Sequence, residues 1–169
     1  MSAANGIKIA VGADHRGSDM LSQLVLQLEQ EGWAVMPMTC NEQRSCDYPD
    51  MAWPVARAVA DGEADRGILI CGSGIGMCIA ANKVAGIRAA LVHDELGAEI
   101  SRRHNDANIV CLAADLLGQR IIERIVTTWL NTEFEAGRHA RRNRKIEAIE
   151  NGQDPGTVTP EQAQAPVSE

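Results

Sequence analysis

The chain is expected to fold as an α/β protein: a Rossmann-like three-layer αβα sandwich with a five-stranded parallel sheet and a C-terminal helical extension. Three observations predict this. Short apolar runs recur at 7–11, 33–38, 68–70, 87–92 and 109–112. Helical patterns lie between them, at the spacing of βαβ units joined by right-handed crossovers. The first and third runs each empty into a glycine-rich turn, at the sheet edge where open α/β folds bind ligands.

Ile7 to Val11 reads as the first buried strand, ending in Gly12-Ala-Asp14-His15-Arg-Gly17. Asp14 and His15 therefore stand at a carboxyl end, where Asp14 could serve a ligand or simply cap the next helix. Leu21, Leu24, Val25 and Leu28 follow at i, i+3, i+4, i+7, the spacing of a helix with one apolar face, and Gly32 stops it. Trp33 to Met38 is the second strand. Thr39 to Pro49 is a polar loop holding Cys40, Cys46, Asp47 and Tyr48, of a size that is often functional. Pro49 and Asp50 then open a helix carrying Val55 and Val59 that ends near Gly62.

The third strand, Ile68 to Ile70, leads into Cys71-Gly72-Ser73-Gly74-Ile75-Gly76 and a small-residue helix through Asn82 and Lys83. A strand–turn–helix unit leaves N–H groups at the new helix start unpaired and facing one place, where the helix dipole favours an anion. A thiol at the mouth of such a turn is in a setting that favours thiolate. The dinucleotide fingerprint fails, because counting from Gly72 its last glycine falls on Met77; the P-loop Gly-Lys-Ser/Thr is absent as well. The turn reads as a catalytic thiol beside an oxyanion-binding loop, or as a tight connection around an inert core cysteine.

Ile87 to Val92 forms a fourth strand with His93 and Asp94 after it, and Ala98 to Arg103 looks helical, leading into His104-Asn105-Asp106. Ile109 to Leu112 is the fifth strand. Leu117, Ile121, Ile125 and Trp129 then set an apolar stripe on a long helix that covers the sheet or meets a second subunit. Gly137 to Lys145 holds five of the sixteen Lys and Arg residues. Arg138 and Arg142, four apart, project from one helix face and could fork onto a phosphate, or mark a solvated helix end. Residues 1–150 make one domain, and 151–169 a polar tail outside its core, disordered or laid on a neighbour.

The totals narrow the class. With 45% hydrophobic residues but only one Phe and one Tyr, the core must be aliphatic. A net charge of −7 argues against general nucleic-acid affinity. No membrane span or signal-peptide pattern is visible. Five cysteines without a C-x-x-C pair suggest reduced thiols and a cytoplasmic setting.

Taken in order, Gly12-Ala-Asp-His15-x-Gly17, Asp47-Tyr48-Pro49, Cys71-Gly-Ser-Gly-Ile-Gly76 with Ala-Asn82-Lys83, Arg103-His104-Asn105-Asp106 and Gly137-Arg-His139 closely resemble the ribose-5-phosphate isomerase B family, from about residue 7 to 150. Its relatives include galactose-6-phosphate and allose-6-phosphate isomerases. The resemblance implies aldose–ketose isomerisation of a sugar phosphate through a cis-enediolate, without metal or organic cofactor, in the pentose phosphate pathway. It implies Cys71 as the base and amides of the 72–76 loop (Gly72, Gly74, Ile75, Gly76) as oxyanion donors. Ser73 would move the hydroxyl proton, where most relatives carry Thr, and His104 would open the sugar ring. Asp14, Asp47 and Asn105 would hold sugar hydroxyls, Tyr48 would line the pocket, and His15, Arg138 and Arg142 would hold the phosphate. A homodimer or tetramer with the site between subunits is implied. Relatives commonly carry an arginine after the fifth strand, where this chain has Asp115. Other four- or six-carbon sugar phosphates, or a catalytically silent sugar-phosphate-binding protein, are the alternative readings.

Overall fold

A computed structural model describes residues 6–38 and 46–159. Five strands alternate with five helices: β1 (Lys8–Ala13), α1 (Ser18–Gln30), β2 (Ala34–Pro37), α2 (Tyr48–Ala60), β3 (Arg66–Cys71), α3 (Ile75–Ala81), β4 (Ala89–Leu91), α4 (Glu95–Asn105), β5 (Ile109–Ala113) and α5 (Gln119–Leu130). A sixth helix, α6 (Arg138–Glu150), is the expected extension. Cys40 and the end of the tail lie outside the described residues. All pairings are parallel, in the order β2-β1-β3-β5-β4.

Side chains alternate across a strand, so each strand feeds both faces of the sheet. Ile9, Val11, Ile68, Ile70, Val110 and Leu112 pack against Leu24 and Leu28 of α1, Ala98 of α4, and Ile122, Ile125 and Trp129 of α5. Ala10, Leu69, Cys71, Ile109 and Cys111 face α2 and α3. Nearly all are fully buried and aliphatic. Each such Ile or Leu contributes roughly 1.5–3 kcal/mol, which is how a core with one Phe and one Tyr suffices. On the α2 face the strands carry small residues; a Cβ at Gly12 would stand 2.9 Å from Val55 Cγ2, so α2 lies close against the sheet.

The sheet sets where a ligand goes. From β1 the chain moves to β2 on one side, and returns to β3 on the other. The carboxyl ends of β1 and β3 therefore flank a topological switch point, the crevice of such folds. Asp14 and Cys71 end up on either side of it.

Four expectations are corrected. The α5 stripe is rotated: Ile122, Ile125, Val126 and Trp129 are buried while Ile121 is 40% exposed. Strand β4 is shorter than its apolar run, because Ile87 is spent on the buried turn after α3, where its N–H donates to Val84 O. Cys46 is disulfide-bonded, contrary to the reduced thiols expected. Among the described residues Cys71, Cys78 and Cys111 are free thiols. The start of the tail lies on its own chain: Gln153 N–H donates to Ala148 O, and Lys145 Nζ to Pro155 O at 2.9 Å.

Asn82, part of the central motif, has a structural task. Its amide donates to Ala89 O at 2.9 Å, and its Oδ1 accepts from Ala89 N–H at 2.9 Å, binding α3 to β4. Asn82→Ala leaves both backbone groups without that partner, and is expected to cost about 1–3 kcal/mol. Urea unfolding checks this, and should show a lower midpoint at unchanged slope.

Candidate active site

β3 delivers Cys71, 4% exposed, to the carboxyl edge. The chain then doubles back so that Gly74 N–H donates to Cys71 Sγ at 3.2 Å. Gly74 can do this because it sits at φ +72°, in the left-handed region, and a Cβ there would come within 2.5 Å of Leu91 Cδ1. Ser73 at the turn's tip is exposed, and its Oγ accepts from Ile75 N–H at 3.3 Å. Tyr48, the first residue of α2, lays its ring over Gly76, where an added Cβ would be 2.7 Å from Cε2. Thiol, hydroxyl, phenol and a glycine-backed helix start thus converge.

Across the switch point, Asp14 is 7% exposed, and its Oδ1 accepts from Arg16 N–H at 2.9 Å and Gly17 N–H at 3.2 Å. It braces its own turn rather than capping α1, whose N-cap is Gly17 with no side-chain bond. Asp14 N–H donates to Ile70 O, which ties this turn to the end of β3. His15 is exposed beside it, as is Asp47 at the start of α2.

The remaining expected residues are elsewhere. His104 and Asn105 end α4, which runs back from the carboxyl edge for eleven residues, about 16 Å. They therefore lie at the opposite, amino end of the sheet from Cys71. Arg138 and Arg142 begin α6 on an exposed face near them. His139, between the two, is buried and stacks flat on His104, with ring centroids 4.1 Å apart and 2° between planes. Arg138 Nε donates to His139 Nε2 at 3.3 Å. Glu135 Oε2 lies 3.7 Å from His104 Nε2 and 3.4 Å from Arg103 Nη2. Burial first, and then the nearby His104, Arg138 and Arg142, hold His139 below the usual imidazole value.

This corner is rigidly built. Arg102, 4% exposed, donates from Nη1 to Asp106 Oδ1 and Ala107 O, both at 2.7 Å. Arg88 Nη2 reaches the other oxygen of Asp106 at 2.8 Å, while its Nε donates to Asn105 O at 3.0 Å. His104, Glu135 and His139 bring three donor atoms within 4.8 Å of one another, a possible cation site by proximity. The parallel rings, however, aim their in-plane lone pairs side by side rather than at one point.

Cys78 and Cys111 are shifted in opposite directions. Cys78 is half-buried and packs against the core on the α2–α3 face of the sheet. Its hydrogen bond with Cys111 brings it down to about 7, aided by Leu91 N–H and Asn82 and opposed by burial. Burial pushes Cys111 well up. Sequence reading missed Glu135 and the role of Arg16, whose partner Asp115 is 99 positions away.

A parallel sheet with a thiol and a glycine-rich helix start at its switch point has the layout of an α/β protein whose ligand site lies at the carboxyl edge of the sheet. The comparisons give its class. The Ribose/Galactose Isomerase family model matches residues 9–146, so the chain belongs to that family and is a sugar-phosphate isomerase. Ribose-5-phosphate isomerase B of Escherichia coli strain K12 is 43% identical over 143 residues, covering 85% of this chain and 96% of that protein. D-erythrulose-4-phosphate isomerase of Pectobacterium atrosepticum is 41% identical over 141 residues, covering 83% and 93%. Among solved structures, ribose-5-phosphate isomerase B of Clostridium thermocellum superposes with a TM-score of 0.84 at 46% identity, covering 86% of this chain and 99% of that one. The Mycoplasma genitalium enzyme with bound ribulose-5-phosphate gives 0.82 at 38%, covering 86% and 97%.

Proposed function

We propose that the chain interconverts ribose 5-phosphate and ribulose 5-phosphate through a cis-enediolate. The observation that carries the reading is Cys71 Sγ turned into the glycine loop at the switch point, 3.2 Å from Gly74 N–H. A proton on carbon next to a carbonyl needs a placed base, and Cys71 takes it from C2 and returns it to C1. Loop amides from 72 to 76 hold the oxygen that becomes negative. Ser73, exposed at the tip, passes the hydroxyl proton between O1 and O2. His104 opens the furanose ring. Asp14, Asp47, Tyr48 and Asn105 contact the sugar, and His15, Arg138 and Arg142 hold the phosphate.

Cys71 and His104 occupy opposite ends of one sheet, so a complete site in this reading draws His104, Asn105, Arg138 and Arg142 from a second copy. Exposed Trp53, Ile75 and Ile79 on α2 and α3 suit burial in such a homodimer. A four-carbon sugar phosphate is the second reading, favoured by the Pectobacterium relative. Incubation with ribose, erythrulose, galactose and allose phosphates in deuterated water, following deuterium uptake at the carbon next to the carbonyl (C2 of the aldoses, C1 of erythrulose 4-phosphate), tests both. Exchange fastest with ribose 5-phosphate is expected; binding without exchange of any of them would overturn the isomerase roles.

A further inference from the structure

One ion pair ties together three turns at the carboxyl edge. Asp14 fixes the backbone of Arg16 and so aims its side chain across the strand ends. Arg16 meets Asp115 Oδ1 in the turn after β5, with Nη2 at 2.7 Å and Nε donating at 3.2 Å. Asp115 N–H donates to Gly72 O at 2.9 Å. Its other oxygen stands in the space that a side chain at position 72 would need: an added Cβ would be 2.7 Å from Asp115 Oδ2 and 3.5 Å from Arg16 Nε. The pair thus rests against the first glycine of the anion loop, one residue from Cys71, with both side chains about half open to solvent.

The charges in these turns, 14–17, 72–74 and 114–118, are few. Asp14 is committed to its own backbone, Asp115 would repel an anion, and Arg16 is the only lysine or arginine. A guanidinium has five N–H donors in a planar fork suited to phosphate, and Asp115 engages two of its nitrogens through a single oxygen. Arg16 and the preceding His15 are both exposed.

We propose that Arg16 is a specificity-determining residue that contacts the phosphate end of the substrate, with Asp115 as the positioning residue that holds it over Gly72. This rests on the sugar-phosphate reading above. It makes the cation at this edge a shared one, tethered by a carboxylate, and assigns Asp115 a use despite its sign.

Steady-state kinetics and calorimetric binding of inorganic phosphate to Arg16→Ala, Arg16→Lys, Asp115→Ala and the Arg16→Ala/Asp115→Ala double variant provide the test. Arg16→Ala is expected to raise KM about tenfold or more, to weaken phosphate binding in parallel, and to change kcat far less. Arg16→Lys should recover part of the loss. The double variant should improve on Arg16→Ala, because the bare carboxylate is gone, yet stay several-fold worse than wild type. An unchanged KM in Arg16→Ala, or a double variant restored to wild type, would overturn the contact and reduce Arg16 to a mask for Asp115. A wild-type protein that isomerises no sugar phosphate but binds phosphate through Arg16 would instead overturn only the reaction.

Discussion

Cys71→Ala is expected to lower kcat by about a thousandfold while the protein still binds its sugar phosphate, since a placed general base is worth roughly 10²–10⁴ in rate. The side chain is small, and none of the proposed phosphate contacts passes through it. The loop around it is held by its own backbone: Ala114 N–H donates to Cys71 O, and Asp115 N–H to Gly72 O. The anion-binding amides should therefore survive the loss of sulfur. Stopped-assay turnover and titration of the ribose 5-phosphate complex measure the two halves separately. A variant within tenfold of wild-type kcat would remove Cys71 from the chemistry.

The second large effect concerns where the rest of the site comes from. Cys71→Ala and His104→Ala chains are each expected to be inactive alone. Refolded together in equal amounts, they should regain about a quarter of wild-type turnover, because random pairing makes half the dimers mixed and each mixed dimer carries one intact composite site. If each chain housed a whole site, every site in the mixture would lack a residue and no activity would return. The elements make the first result the expected one: α4 carries His104 a full helix length away from the strand ends that hold Cys71.

Much of this was legible in the sequence. Short apolar runs marked each strand, glycine turns marked the ends of β1 and β3, and helical spacing marked α1 with few ambiguities. The thiol, the glycine loop and the Asp14–His15 turn were visible because each is local and falls at a strand end. What stayed hidden depends on tertiary geometry. Ile121 and Ile122 both suit an apolar stripe, and only the packing angle of α5 decides which is buried. Asn82 reads as a polar helix end until β4 comes alongside. The pairing of Arg16 with Asp115 has no local signal, because the two turns meet only once β1, β3 and β5 lie in order. His139 is one letter in a basic run, and its burial under His104 follows from a backbone reversal in which Ala136 takes φ +54°.

The bond that Asn82 makes also closes part of the border of the sheet. In β4 Ala89 turns its N–H and C=O away from β5, and the side-chain amide of Asn82 satisfies both. At the far margin, β2 ends in Pro37, which has no N–H to offer. A bonded Ala89 and a proline at position 37 each remove backbone donors that a foreign strand would need at those points.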